Sequence, residues 1–145
     1  SENKTAKGMT DMDVKIYPER EERKLTAVIY GDIDHHTAKY IRGEIDGSIK
    51  EYSPKTLIID FRNVTFMDSS GIGLVMGRYK IMTELGGEVL TANPPPYIRK
   101  VMQLAGLHRL SRIISCSSPE EDSGNPELSK SRADTEDKQP SAENK

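Results

Sequence analysis

The run Thr56-Leu57-Ile58-Ile59-Asp60-Phe61 restricts the fold more than any other feature of this chain. It is short and nearly continuously apolar, the mark of a strand buried on both faces. Helical patterns lie on either side of it. Ala38, Ile41, Ile45 and Ile49 fall on one helical face and predict an amphipathic helix over 36–51, weakened locally by Gly43 and Gly47. Gly71 to Leu85 reads as a second helix, ended by Gly86-Gly87. Lys24 to Tyr30 predicts a strand ending at Gly31, with Asp13 to Tyr17 as its hairpin partner, and Glu88 to Ala92 predicts another. Pro94-Pro95-Pro96 fixes an extended approach and can open a helix. That helix has Ile98, Val101, Met102 and Ala105 as its apolar face and Gly106 as its stop, and Leu110 to Ser115 follows as a last strand. Strands alternating with crossover helices imply an α/β domain whose later strands are parallel.

The ends differ from this middle. Hydrophobic residues make up 34% of the 145 residues and charged residues 30%, so part of the chain lies outside any core. Residues 1–8 are polar and read as a flexible arm or a cloning remnant. Residues 116–145 carry eight acids, four bases and three prolines, with Leu128 as the one large aliphatic side chain. Such a segment cannot bury enough apolar surface to offset the entropy of ordering it, which predicts a disordered polar tail after a domain spanning 9–115. A net charge of −2 argues against a dedicated nucleic-acid binder. No apolar run approaches a membrane span, and the N-terminus lacks the apolar stretch of a signal peptide. Cys116 is the lone cysteine, which excludes an intramolecular disulfide and fits a reducing cytoplasm.

The most informative segment is Phe66-Met67-Asp68-Ser69-Ser70-Gly71-Ile72-Gly73-Leu74, between the buried strand and the second helix. Asp68 or Ser69 can cap the helix, and a cap alone explains both residue types. A serine here also suits phosphorylation. Helix N-terminal N–H groups favour an anion, so a phosphate would add about −1.5 to −2 charges without melting the domain. Along the helix, Ile72, Val75, Met76, Tyr79 and Met82 share the face expected to cover the sheet. Leu74, Ile81 and Leu85 form a second stripe interrupted by Arg78, with Gly73 and Gly77 beside it leaving room for another backbone. That stripe fits a helix buried on two sides or a contact surface, and exposed apolar patches usually mark the latter.

Gly31-Asp32-Ile33-Asp34-His35-His36-Thr37-Ala38 marks the other strand-to-helix junction, with Asp34 as a cap and the histidines in the first turn. Adjacent histidines do not share a helix face, so a metal site is not expected. Enzyme readings are weak. A hydrolase built from Ser69, a histidine and Asp34 lacks the first glycine of the nucleophile elbow, and His108 stands alone. Gly71, Gly73 and Gly77 echo a dinucleotide turn with the third glycine misplaced, and there is no phosphate loop. No cofactor is expected.

Asp68-Ser69-Ser70-Gly71-Ile72-Gly73 resembles the STAS domains, specifically the bacterial anti-sigma factor antagonists. The run 31–38, the run 66–73, Gly77-Arg78-Tyr79-Lys80, Gly86-Gly87-Glu88 and Ala105-Gly106-Leu107 are similar to the sporulation sigma-F branch. The resemblance implies a STAS fold, an α/β architecture with a single mixed sheet and helices packed on it. It implies a non-enzymatic cytoplasmic switch, monomeric when free. In that switch the unmodified protein binds an anti-sigma factor that is also an ATP-dependent serine kinase, and the sigma factor is released. Ser69 would be the phosphorylated serine, and a metal-dependent, PP2C-type phosphatase would reverse the modification. The implied partner surface comprises Asp34, His35, Asp68, Ser70, Gly71, Ile72, Gly73, Leu74, Gly77, Arg78 and Ile81. A general-stress antagonist and a nucleotide-binding STAS protein are the alternatives. Two departures stand out: position 32 is Asp where this branch typically has Glu, and the polar tail replaces an apolar final helix.

Overall fold

The computed structural model describes residues 13–119, so the N-terminal arm and nearly all of the polar tail lie outside the described residues. The chain divides into two compact units at Ile113/Ile114, and the first holds the elements that matter here except the final residue of the last strand. In order these are β1 (Val14–Glu19), β2 (Lys24–Ile33), α1 (His35–Tyr52), β3 (Thr56–Met67), α2 (Ser69–Glu84), β4 (Glu88–Ala92), α3 (Pro96–Leu104), a 3-10 turn (Leu107–Arg109) and β5 (Arg112–Ile114). The strands form one sheet in the order β1-β2-β3-β4-β5. β1 runs antiparallel to β2, while β2, β3 and β4 are parallel neighbours. The two crossovers β2-α1-β3 and β3-α2-β4 advance in the same direction, and right-handed connections then put both helices on one face.

That face holds the core. Leu25, Ala27, Ile29 and Ile33 of β2 and Leu57, Ile59 and Phe61 of β3 meet Ile41, Ile45 and Ile49 of α1, Val75 and Met82 of α2, and Ile98 and Met102 of α3. Val28, Ile58 and Asp60 on the opposite face are buried as well, so β3 is covered on both sides, as its composition requires. Among the described residues no helix is long and apolar enough to cross a membrane.

β1 carries Pro18 opposite Leu25. The Tyr30 N–H donates to the Asp13 carbonyl (2.9 Å), which fixes odd-numbered positions of β1 as those bonded to β2. Pro18 therefore points its nitrogen away from the sheet and costs no ladder bond.

Three expectations are corrected. β2 does not end at Gly31. It continues to Ile33, with Gly31 at φ +81° inside a register irregularity. β3 does not end at Phe61 but runs twelve residues to Met67. Its pairing with β2 slips twice: Val28 pairs with Asp60 but Tyr30 with Asn63, and Gly31 pairs with Val64 but Asp32 with Phe66. β3 thus carries an extra residue at each step, the signature of a bulge. Each extra residue resets the alternation, so that Val64 and Met67 follow Leu57, Ile59 and Phe61 into the core.

The third correction concerns α2, whose buried residues are Gly71, Leu74, Val75, Arg78 and Met82. Leu74 (3% exposed) is core rather than contact stripe, and Met76 (45% exposed) faces solvent rather than the sheet. Arg78 is buried because α1 supplies a counter-charge. Its Nε lies 2.8 Å from Asp46 Oδ1, at ion-pair distance though outside hydrogen-bond geometry, and its Nη1 donates to the Leu74 carbonyl at 3.3 Å. Burial lowers the Arg78 pKa from its ordinary value, and Asp46 opposes that shift.

The turn from α2 to β4 depends on Gly87. A Cβ there would sit 2.5 Å from the Lys55 carbonyl oxygen and 2.8 Å from Met82 Cε. The backbone oxygen is itself fixed by the Glu88 N–H at 2.9 Å and cannot yield cheaply. Gly87→Ala is expected to destabilise the fold by about 1–3 kcal/mol, read as a lower urea midpoint at unchanged m-value.

Candidate functional site

β2 and β3 end side by side, and each feeds a helix directly. Ile33 pairs with Met67, the Asp68 N–H donates to the Ile33 carbonyl (3.1 Å), and α1 and α2 begin at the following residues. Asp34 and Ser69 each follow directly on one partner of that bond. This is the carboxyl edge of a parallel sheet, where α/β folds place their binding residues.

Asp34 caps α1. Its Oδ1 accepts from the backbone N–H groups of His36 and Thr37, both at 2.9 Å, while its own N–H donates to Thr37 Oγ1 at 3.0 Å, completing a capping box. The Thr37 N–H bond is the main reason the Asp34 pKa falls below its ordinary value. Desolvation opposes it, and the His36 N–H reinforces it. Neighbouring Asp13 is shifted upward by burial and by repulsion from Asp34, with His36 acting against both. His35 and His36 are exposed in the first turn, and no metal-binding cluster occurs among the described residues.

Asp68 caps α2. Its Oδ1 accepts from the Ser70 N–H at 2.7 Å, and its carbonyl from the Gly71 N–H at 3.0 Å. The cap left open between Asp68 and Ser69 is therefore Asp68. Ser69 is the first residue of the helix and is exposed, whereas Ser70 is half-buried. Gly71 is buried because α2 starts directly over Met67, whose side chain occupies the place a Cβ would take.

The solvent face of α2 runs through Ser69, Gly73, Met76 and Lys80, spaced at four, three and four residues. Ile72, Gly77 and Ile81 flank it, half-buried. Three residues of the expected partner surface, Gly71, Leu74 and Arg78, are buried and so unavailable for docking in this conformation. Of the expected stripe, Leu85 is exposed (61%) and Ile81 half-buried, and two apolar side chains outside it are exposed as well: Met76 two turns after Ser69, and Phe66 (44% exposed) three residues before it. No local signal marks either. Phe66 faces out because the preceding bulge flips the strand phase, and Met76 because the Arg78–Asp46 pair rotates the buried face of α2.

The mixed sheet thus carries a capped, exposed serine at a helix start, where two of its parallel strands end. The chain belongs to the STAS domain family, which matches residues 17–118. An anti-sigma F factor antagonist from Paenibacillus polymyxa is 30% identical over 102 residues, covering 70% of this chain and 87% of that protein. One from Lysinibacillus sphaericus is 39% identical over 79 residues, or 54% and 68% of the two chains. The unphosphorylated form of the anti-sigma factor antagonist SpoIIAA superposes with a TM-score of 0.63 at 30% identity, over 78% of this chain and 96% of its own. The Bacillus cell fate determinant SpoIIAA in its phosphorylated form gives 0.59, over 74% and 95%.

The caps are measurable. Asp68→Ala should cost about 1 kcal/mol of stability, as loss of an N-cap acceptor does. Because the folded pKa of Asp34 is depressed, its contribution is complete above the unfolded value and lost as pH falls through the folded one. Asp34→Asn should therefore flatten the acid limb of the urea midpoint between about pH 5 and pH 2.

Proposed function

We propose that this chain is an anti-sigma factor antagonist of the sigma-F type, acting by binding rather than by catalysis. In its unphosphorylated form it docks on an anti-sigma factor that is also a serine kinase, and the sigma factor is released. The kinase then transfers the γ-phosphoryl group of ATP to Ser69 Oγ, ending the interaction, and a PP2C-type phosphatase removes it.

One observation carries this reading: Ser69 is exposed at the first position of a capped sixteen-residue helix, between exposed Phe66 and Met76. The apolar pair suits a protein contact, since solvated apolar groups gain most from being covered. A phosphate beside them brings about −1.5 to −2 charges next to Asp68 and Asp34, and its desolvation and like-charge repulsion penalise docking. The helix N-terminus tolerates the same charge, so the fold is kept. Relatives named as anti-sigma F factor antagonists support the branch. A 30% identical relative known in both phosphorylated and unphosphorylated forms supports the switch.

Incubation with ATP and the anti-sigma F factor of Paenibacillus polymyxa, followed by peptide mass mapping, is expected to find one phosphoryl group on Ser69. Ser69→Ala should bind and stay unmodified, and Ser69→Asp should weaken binding by about tenfold or more. Phosphate on Ser70 instead, or equal binding by all three proteins, would overturn the reading. Modification only by a sigma-B-type kinase would move the chain to the general-stress branch.

A further inference from the structure

Thr65 is the residue that β3 carries in excess at its second slip: Gly31 pairs with Val64 and Asp32 with Phe66, leaving Thr65 without a partner in the ladder. Its side chain is nonetheless engaged. Thr65 Oγ1 donates to Asp32 Oδ1 at 2.7 Å, a short hydrogen bond to an ionised acceptor between two exposed residues. The backbone carbonyl of Asp32 accepts from Thr37 Oγ1 at 2.9 Å, and that hydroxyl in turn accepts the Asp34 N–H of the capping box. Just past the next pair, Ile33 with Met67, the Asp68 N–H reaches the Ile33 carbonyl. Asp32 thus holds the bulge that precedes Ser69 with its side chain and the cap of α1 with its backbone.

We propose that Asp32 and Thr65 are positioning residues for the docking corner: their hydrogen bond ties the bulge before α2 to the capping box of α1 and so sets Ser69 relative to Asp34. The inference rests on the docking reading above. It assigns the Asp32 carboxylate an internal acceptor's role rather than that of a charge offered to a partner. Reach matters for such a role. A glutamate at position 32 would carry its carboxylate one methylene further out, past the Thr65 hydroxyl that an aspartate meets at 2.7 Å. Serine at position 65 keeps the donor and valine removes it. Asparagine at position 32 keeps the acceptor and removes the charge.

Two measurements on the full chain test this. The first needs no partner: amide hydrogen exchange at Thr37 and Ser70, with Val75 and Ile59 as references for the intact fold. Thr65→Val should speed exchange at both helix starts by about five- to tenfold, the factor that loss of one ordinary hydrogen bond produces. Thr65→Ser and Asp32→Asn should stay near the native rates, and Asp32→Ala, which breaks the bond from its other side, should match Thr65→Val. Acceleration confined to residues 63–67 would overturn the proposal. The second is the steady-state phosphorylation of Ser69 by the anti-sigma F factor of Paenibacillus polymyxa. Thr65→Val should raise KM for the chain with little change in kcat, and Asp32→Asn should leave both near native. A KM raised as much by Asp32→Asn as by Asp32→Ala would make the carboxylate a direct charged contact and refute the positioning role. If the native chain is not phosphorylated at all, the docking reading fails while the exchange measurement still decides the coupling.

Discussion

The backbone hydrogen bond from Asp68 to the Ile33 carbonyl joins two strand ends at the point where both become helices. The caps Asp34 and Asp68 and the exposed Ser69 are arranged around it. The parallel pairing of β2 with β3 would by itself carry two regular strands forward in step. Two extra residues in β3 change that, letting the strand keep its inward side chains while reaching Met67 opposite Ile33. Without them Met67 would not lie beneath Gly71, and α2 would not start where its first residue is exposed. Local irregularity, rather than the regular ladder, sets the serine beside Asp34.

Much of the framework is legible in the sequence. The Ala38/Ile41/Ile45/Ile49 spacing places α1 to within a residue at either end, and Glu88 to Ala92 is a strand in both readings. The Asp34 cap is legible too, whereas the sequence leaves the cap of α2 open between Asp68 and Ser69, because both residue types accept from helix-start N–H groups. Hidden are the features that depend on a partner far along the chain. Arg62-Asn63 interrupts the apolar run, and the inward Val64 and Met67 with outward Phe66 follow no period of two, so the bulged strand is not legible there. Asp32 gives no sign that it bonds Thr65, since nothing local brings the two together.

The face of α2 is the clearest instance of that limit. Periodicity sorts Leu74 and Arg78 to one side and Met76 to the other, and hydropathy then assigns the arginine side to solvent. Asp46 on α1 reverses the outcome by meeting the Arg78 charge where it is buried. A pair of this kind, with Arg78 buried and Asp46 half-exposed, contributes less to net stability than to choosing one helix rotation among several. The rotation it chooses turns Met76 outward on the face that carries Ser69, so a contact between two helices decides which apolar side chain of α2 is exposed there.

The outer rim of the sheet has its own consequence. Pro18 directs a nitrogen without hydrogen toward open solvent from the strand that borders the sheet. An extended peptide seeking to lengthen the ladder along β1 would lose a donor in mid-register and meet a ring in its path. The chain is thereby guarded against the zipping together of its own copies along a bare border.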